Sequence, residues 1–289
     1  MKAMICYITW NRLEYTKKSL ASILKNTDRS KYDLLLWDNG SDIDSVNWIT
    51  KFCYDNDFKF MFFSKNLGLT TAMNNQMLIA SKMNNYDVFS HIANDIVVPE
   101  NWLEGVFEAL QSKKVGAVGL NLEFTNFEKT IVDGIELEKI HSDGNLCGAH
   151  FNIPRWIYEL IGPFQHVVLG YGQQDANCSL EIRCIPKEFL PEQQVDVYYL
   201  PLEKYKGEDL GGTGKKYDNY QKQIEHRLRV SGSDVSGGRM YRSWVKLNYD
   251  YYLKKKITAE QMLQVLKKKT FISFDKSLLK EYNFGSKYL

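Results

Sequence analysis

The first 120 residues alternate short apolar segments with longer amphipathic ones, and this alternation limits the possible folds more than any other feature. The apolar segments have the length and residue types of buried strands: AMICYIT, YDLLLWDN, FKFMFFS, YDVFSHIA and VGAVGLNL. The segments between them carry apolar residues at helical spacing, as in NRLEYTKKSLASILKN. Strands that alternate with helices of this length predict an α/β fold, with a largely parallel sheet covered by helices on both faces.

The rest of the chain divides into two parts. Residues 121–212 read as strand, helix, a Gly-rich loop entering a further helix, and a last strand, QVDVYYLP. After the Gly-rich segment KGEDLGGTGKK come helical patterns dense in lysine, including YYLKKKITAEQMLQVLKKKTF. We therefore expect one α/β domain over 1–212 and a helical region over 213–289.

Charge is distributed unevenly between these two parts. Residues 213–289 contain 17 Lys or Arg and 7 Asp or Glu, a net charge of +10, whereas residues 1–212 contain 20 and 28, a net charge of −8. A basic region of this kind suits contact with a polyanion or an anionic membrane surface, and it equally suits packing against the acidic domain.

The cysteines and the N-terminus indicate the compartment. The five cysteines are odd in number and form no C-x-x-C pair, which favours a reducing environment over disulfides or structural zinc. MKAMICYITW begins directly as a strand without a signal-peptide pattern, and no apolar run reaches the ~18 residues of a membrane span. We expect a cytoplasmic protein without a transmembrane segment.

Polar residues follow four of the predicted strands at the point where each strand ends. They are Thr9, Asn11 and Arg12 after the first, Asp38 and Asn39 after the second, Asn66, Gly68 and Asn74 after the third, and Asn94 and Asp95 after the fourth. In open sheets of this kind, ligands bind outside the carboxyl ends of the strands. Polar groups gathered there can contact a base, a ribose and phosphates together, so the sequence predicts a nucleotide or phosphate site.

Five segments in this order resemble the motifs of family 2 glycosyltransferases, which have the GT-A fold. They are YITWNRLEYTKKSLASIL, LLLWDNGSDID, SKNLGLTTAMNNQM, HIANDIVVP and GPFQHVVLGYGQQDANCSLEIR. The resemblance extends from about Met4 to Pro201. It implies a GT-A domain over 1–212, with a nucleotide-sugar half at about 1–120 and an acceptor half at about 121–212, followed by the basic helical region.

The resemblance also implies roles for individual residues. Asp175 would be the general base, Asp95 would hold a divalent metal, Mn²⁺ or Mg²⁺, and Asp38 would hydrogen-bond the pyrimidine of the donor, usually uracil. The other strand-end residues would bind the nucleotide: Thr9, Asn11, Arg12, Asn39, Asn66, Gly68, Asn74 and Asn94. The residues implied on the acceptor side are His150, Arg155, Gly172 and Gln174.

These residue types suit sugar transfer from a nucleoside diphosphate sugar. Negative charge builds on the departing diphosphate, and a cation held by a carboxylate offsets it. An acceptor hydroxyl is a weak nucleophile until a nearby base takes its proton. One base and one metal suffice for direct displacement, so we expect an inverting enzyme. The resemblance implies that its donor is a UDP-linked sugar.

Two positions depart from the family pattern. Ala93 stands where the family has the first acid of its D-x-D motif, so Asp95 is the remaining carboxylate there and metal binding should depend on substrate. Gln174 precedes Asp175 where the family often has Glu, and the loss of a neighbouring carboxylate should make Asp175 easier to ionise. Where the family has a late His ligand, the loop after YYLP offers Glu208 and Asp209 but no His, and His226 comes later, in a helical pattern.

Several of these residues also fit structural roles. Asp38 with Asn39 suits a turn or a helix cap. Asp95, which comes before PENW, suits the N-terminus of a helix. Asp175 suits a cap of the helix ANCSLEIR, and His150 suits a satisfied core histidine. The lysine runs at 254–256 and 267–269 suit solvated helix faces.

The acceptor stays open between a surface glycan on a lipid carrier, a protein, and DNA that carries a hydroxylated base. Two other classes of function are also consistent with parts of the sequence. The eroded D-x-D motif fits a binding module that holds nucleotide sugars without turnover. A nucleotidyltransferase shares the sheet topology but normally has a Gly-rich loop after the first strand, where this chain has TWNRLEYTKK.

Overall fold

The structure of the chain, a computed structural model, describes 1–83, 85–122, 127–165, 174–192, 194–211 and 235–269, of which 235–240 are described by their backbone alone. Gly172, one of the residues implied on the acceptor side, lies outside the described residues, as do 213–234 and 270–289 of the basic region.

A mixed β-sheet forms the centre of the described chain. The strands are β1 (Ala3–Thr9), β2 (Tyr32–Asp38), β3 (Lys59–Phe62), β4 (Val88–Ala93), β5 (Ile96–Val97), β6 (Val115–Leu120), β7 (Glu128–Val132), β8 (Ile135–Lys139), β9 (His150–Pro154), β10 (Asp196–Leu200) and β11 (Glu208–Asp209). The main sheet has the order β3-β2-β1-β4-β9-β6-β10-β8-β7, and β5 pairs with β11 outside it. Strands β3, β2, β1 and β4 are parallel, as are β6 and β10, whereas β9 runs antiparallel between β4 and β6.

Helices cover both faces of this sheet. They are α1 (Leu13–Asn26), α2 (Ile43–Asp55), α3 (Leu69–Lys82), α4 (Trp102–Gln111), α5 (Arg155–Ile161), α6 (Gln174–Arg183), α7 (Val235–Leu253) and α8 (Ala259–Lys268). One buried apolar cluster lies under α1, α2 and α4, and the other lies under α3 and α5 to α8. Each large apolar side chain removed from water contributes roughly 1.5–3 kcal/mol, so the two clusters fix the helices on the sheet. The predicted α/β fold with helices on both faces is confirmed.

The hairpin of β7 and β8 is a feature that the strand–helix alternation does not indicate. The two strands pair antiparallel, and the turn between them contains Asp133 and Gly134 with φ values of 49° and 86°. An Asp-Gly pair is a common signal for a two-residue hairpin turn, because both residues tolerate positive φ. The signal is present in the sequence, but the exposed edge strand beside it has too little apolar patterning to stand out.

The described part of the C-terminal region is helical and packs against α6. Lys269 Nζ and Tyr241 Oη both donate hydrogen bonds to the buried carboxylate of Glu181, the latter at 2.7 Å. Lys254, Lys255 and Lys256 lie between α7 and α8 rather than on a helix face, and Thr258 starts α8 with a capping box. No helix in the described ranges is long and apolar enough to cross a membrane.

The buried pair of Glu181 and Lys269 predicts a large loss of stability when the lysine is removed. In Lys269→Met, Glu181 would be left as an uncompensated buried charge, which typically costs about 3–5 kcal/mol. Urea denaturation should show this loss, whereas Lys268→Met, at the exposed neighbouring position, should change the free energy of unfolding by less than about 0.5 kcal/mol. Equal stability of the two variants would contradict this role of the ion pair.

Candidate functional site

The carboxyl ends of the parallel strands meet at one edge of the sheet, as the sequence predicts. In the strand register, Thr9 lies beside Asp38, and Ile8 lies beside Ala93. The residues that follow each strand are therefore neighbours in space. The edge is built from the ends of β1, β2 and β4, together with the loop between β3 and α3.

A buried hydrogen-bond cluster joins the ends of β1 and β4 to the first turn of α1. The side-chain nitrogen of Asn94 lies 3.2 Å from Thr9 Oγ1, 3.1 Å from Thr16 Oγ1 and 3.3 Å from the carbonyl oxygen of Asn11. The two threonine hydroxyls are 3.0 Å apart. Both donor hydrogens of the Asn94 amide are thus engaged inside the protein. Asn94 and Thr9 support the site from beneath.

Asp38 combines a turn with an unpaired oxygen. Its Oδ2 accepts hydrogen bonds from the backbone nitrogens of Gly40, at 3.2 Å, and Ser41, at 3.0 Å, so Asp38 does form the turn after β2. Asp42, and not Asp38, caps α2. Oδ1 of Asp38 is buried without a hydrogen-bond partner among the described residues. A buried carboxylate oxygen without a partner is costly, and a ligand donor that reached it would remove that cost.

The loops after β2 and β3 form one wall of the site. Asn39 Nδ2 donates to Asn66 Oδ1 at 2.8 Å, and the backbone nitrogen of Gly68 donates to the same oxygen at 2.8 Å. Gly40 makes this contact between loops possible, because a Cβ there would lie 2.6 Å from the carbonyl carbon of Lys65. With φ at 81°, Gly40 also occupies a backbone conformation that other residues rarely adopt.

Arg12 and Asp95 form an ion pair at the start of α1. Arg12 Nη1 lies 2.9 Å from Asp95 Oδ2, with about a tenth of the arginine side chain exposed. Asn11 and Arg12 both have left-handed backbone angles, a rare state for non-glycine residues that turns the chain sharply. Asp95 does not start a helix, because Asn101 is the N-cap of α4.

The segment around β11 closes over this ion pair. The backbone nitrogen of Leu210 donates to the carbonyl oxygen of Asp95 at 2.8 Å, continuing the pairing of β11 with β5. The next residue, Gly211, lies so near that a Cβ on it would be 2.5 Å from Arg12 Nη2 and 2.6 Å from Asp95 Oδ2. A side chain at this position would have to displace the ends of Arg12 and Asp95.

The donor set at Asp95 bears directly on the expected metal. Ala93 has no ligand atom, Asn94 is engaged inside the protein, and the described residues contain no group of three or more metal-ligating side chains. Mg²⁺ commonly binds one or two carboxylates and takes its remaining ligands from water and substrate phosphates. Asp95 therefore fits a site that a diphosphate completes, and it does not fit a site built from protein ligands alone.

Asp175 lies in the first turn of α6, where the helix dipole favours a carboxylate. Its Oδ2 accepts a hydrogen bond from the backbone nitrogen of Gly148 at 3.0 Å, and its Oδ1 accepts one from Ala176 at 2.8 Å. The protein packed around the carboxylate raises the pKa of Asp175, and these hydrogen bonds oppose that rise. Each oxygen keeps a free lone pair, so Asp175 can hold the helix start and still accept a proton.

Cys147, which carries a free thiol, is followed by two residues that contact both halves of the site: Gly148 N donates to Asp175 Oδ2 at 3.0 Å, and Ala149 O accepts from the backbone nitrogen of Ala93 at 2.9 Å. Burial, followed by the charges of Asp175, Asp209 and Asp95, raises the pKa of this thiol to about 12. The implied base and the implied metal ligand therefore lie near one point of the fold. Asp209 lies near the same point, because it pairs with Ile96, the residue after Asp95. The sequence indicated Asp209 only as a residue in the region of the family's late His ligand.

The structure corrects the expectation for Arg155. It places His150 beside this edge of the sheet, paired with Ile92 near the end of β4, but with its side chain in the core. His150 is fully buried, accepts a hydrogen bond from the backbone nitrogen of Leu120 at 3.1 Å and packs edge-on against Trp102. Burial lowers the pKa of His150 to about 3, so it is a neutral core residue. Arg155 lies at the opposite edge of the sheet, because Pro154 pairs with Val88 at the start of β4.

Two further predicted residues have other surroundings. Asn74 is buried and exchanges two hydrogen bonds with the backbone of Phe164, so it fixes the segment after α5. Gln174 is buried directly before Asp175 and lies at the site. Sequence patterns did not point to Gly148, Gly211 or Arg242, whose importance comes from contacts distant along the chain.

Comparisons with known proteins bear on this site and its fold. Residues 4–145 match the family model for glycosyl transferase family 2. Among solved structures, GalNAc-T7 with UDP, GalNAc and Mn²⁺ is similar with a TM-score of 0.57 and 11% identity, over 100% of this chain and 58% of that chain. The mannosyltransferase PcManGT from Pyrobaculum calidifontis, in complex with GDP-Man and Mn²⁺, has a TM-score of 0.49 and 13% identity, over 93% and 73%. No curated protein sequence matches the chain.

The likeness to GalNAc-T7 confirms the predicted GT-A fold. Because the chain spans little more than half of that protein's length and shares few residues with it, the likeness extends to the fold alone.

The position of Gly211 predicts that Gly211→Ala separates Arg12 from Asp95. The new methyl group would overlap with both side-chain ends, which are free to swing aside more easily than the backbone can move. A crystal structure of the variant should show Arg12 Nη1 and Asp95 Oδ2 more than about 4 Å apart, beyond ion-pair contact. An unchanged ion pair in the variant would contradict this prediction, because the segment that carries Gly211 would then have moved instead.

Proposed function

Because residues 4–145 of this chain belong to glycosyl transferase family 2, we propose that it transfers a sugar from a nucleoside diphosphate sugar to an acceptor hydroxyl. The expected donor is UDP-linked, and the transfer inverts the anomeric carbon. One observation carries the proposal: the neighbouring residues Gly148 and Ala149 join the two carboxylate segments, because Gly148 N donates to Asp175 Oδ2 at 3.0 Å and Ala149 O accepts from Ala93, two residues before Asp95, at 2.9 Å.

Different strand-end residues contact different parts of the donor. Asp38 Oδ1, buried without a partner, suits the N–H of a pyrimidine base. The wall of Asn39, Asn66 and Gly68 lets the chain pass close to the ribose and diphosphate, with Asn11 and Arg12 at its other side. The contribution of Thr9, Asn74 and Asn94 to donor binding is indirect, because their side chains hold the surrounding segments in place.

Asp175 takes the proton during transfer. The acceptor oxygen attacks the anomeric carbon while its proton passes to the Asp175 carboxylate. The bond from that carbon to the diphosphate oxygen breaks, which leaves an inverted glycoside and a free nucleoside diphosphate. A divalent cation held by Asp95, when bound, offsets the charge that develops on the diphosphate. Arg12, 2.9 Å from Asp95, brings a further positive charge to the same place.

The acceptor proposed from the sequence is a glycan or a hydroxylated base in DNA. Both present the hydroxyl that the reaction needs, and the net charge of +10 in residues 213–289 suits a polyanion. Retention of duplex DNA at two salt concentrations separates the two acceptors, because phosphate contacts weaken steeply with salt.

The role of Asp175 predicts that Asp175→Asn abolishes transfer while nucleotide binding survives. An amide cannot take the proton, and loss of a general base typically costs about 10²–10⁴-fold in rate. Turnover is measured as UDP release from UDP-glucose, UDP-galactose and UDP-N-acetylglucosamine, and binding by calorimetry with UDP. Asp143→Asn, the same change at an exposed loop position, should leave both unchanged. Normal turnover by Asp175→Asn would disprove the assignment of the base.

The single carboxylate at Asp95 predicts that Mn²⁺ binds appreciably only together with UDP. Calorimetric titration of Mn²⁺ into the free protein should give little heat, and titration into the protein saturated with UDP should give a clear isotherm. Asp95→Asn should remove the second isotherm while UDP alone still binds. Strong Mn²⁺ binding without UDP, or an unaffected Asp95→Asn variant, would contradict the proposed site.

A further inference from the structure

We infer that the C-terminal helices complete the catalytic site, with Arg242 of α7 as a positioning residue for Asp175. This inference rests on the proposed function, since it takes Asp175 as the base. Arg242 lies outside the segment that matches the family model, so the inference concerns a part of the chain to which that match assigns no role.

The docking of α7 on α6 places Arg242 next to the base. Tyr241 is fully buried and donates to Glu181 at 2.7 Å, and Glu181 also accepts from Lys269 at the end of α8. The side chain of Gln165 donates to the carbonyl oxygen of Lys269 at 2.9 Å, which ties the segment after α5 to the same point. Because Arg242 follows Tyr241 directly, this buried network sets where its side chain begins.

Arg242 contacts α6 close to Asp175. Its Nη1 donates a hydrogen bond to Asn177 Oδ1 at 3.2 Å, and Asn177 is fully buried two residues after Asp175. The contact joins positions 65 residues apart in sequence and fixes the first turn of α6 from outside the sheet. The geometry of the base therefore depends on a residue of the C-terminal region.

The charge of Arg242 also acts on Asp175 directly. Burial raises the pKa of Asp175, and the hydrogen bonds from Ala176 and Gly148 and the positive charge of Arg242 lower it. The other titratable groups near Asp175 are the thiols of Cys147 and Cys178 and the phenol of Tyr199. The carboxylates of Asp95, Asp209 and Glu181 and the ammonium of Lys269 act on the same thiols.

These thiols and the phenol are neutral near pH 7, because burial raises the pKa of each. Among the described side chains that face Asp175, Arg242 is thus the cation that favours the ionised carboxylate.

A base works only while it is ionised, which sets the sign of the expected effect. The rate falls as pH drops through the pKa of Asp175, so this pKa sets the acid limb of the pH profile. Removal of the Arg242 charge raises the pKa of Asp175 and moves the acid limb to higher pH. A purely structural role would instead lower the rate by the same factor at every pH.

The test compares pH profiles of kcat/KM for UDP release from the sugar nucleotide that turns over fastest among the three named above. Arg242→Gln should shift the acid limb measurably to higher pH, because the positive charge that lowers the pKa of Asp175 is removed. Lys246→Gln removes the same charge from the same helix four residues later, at an exposed position, and should give the wild-type profile. An acid limb in Arg242→Gln that coincides with the wild type would overturn the inference.

Arg242→Lys provides a second test, which also applies if the glutamine variant does not fold. Lysine keeps the charge but lacks the planar fork that holds Asn177, so the acid limb should stay in place while kcat falls several-fold. Wild-type kcat in this variant would remove the positioning role. Failure of the proposed function is distinguishable, because the wild-type protein would then release no UDP from any of the sugar nucleotides. An active wild type and an inactive Asp175→Asn, with an unshifted Arg242→Gln profile, reject only the present inference.

Discussion

The buried hydrogen bonds between Asn94, Thr9 and Thr16 are the interaction on which the rest of the site depends. They join the ends of β1 and β4 to the first turn of α1 in a place from which water is excluded. A buried amide is costly unless its hydrogen bonds are made, so these segments keep one relative position. That position places Arg12 against Asp95 on one side and Asp38 on the other. The polar residues at the site keep fixed positions because both amide hydrogens of Asn94 beneath them are hydrogen-bonded.

The part of the site that contains Asp175 depends on a second buried network, in the C-terminal part of the described chain. Glu181, Tyr241 and Lys269 connect α6 to α7 and to the end of α8. Buried ion pairs contribute little net stability compared with apolar packing, but they specify one arrangement strongly, because either charge alone is very unfavourable. The same helix carries Asp175 at its start. The region outside the family match thus bears on the chemistry through α6.

Local patterns were enough to predict the α/β fold and the meeting of the strand ends, because the spacing of apolar residues directly reflects strand and helix periodicity. They did not predict the direction of β9, which depends on pairing with strands distant along the chain. For that reason Arg155, which follows β9, lies at the opposite edge of the sheet. The contact of Arg242 with Asn177 likewise has no local signature. The roles of Asp38, Asp95 and Asp175 remain predictions from the family resemblance and the geometry.

The most direct test of the central claim is UDP release from a panel of UDP-sugars by the wild-type protein and by Asp38→Asn. In the variant an amide N–H₂ takes the place of a carboxylate oxygen, so the contact proposed for the pyrimidine N–H is weakened. Hydrogen bonds to charged groups contribute about 1.5–3 kcal/mol, so the KM for the donor should rise by roughly 10-fold or more. The account predicts release from at least one UDP-sugar, with this loss in the variant. A wild-type protein that releases no UDP from any of them would contradict the account and favour a module that only binds nucleotide sugars.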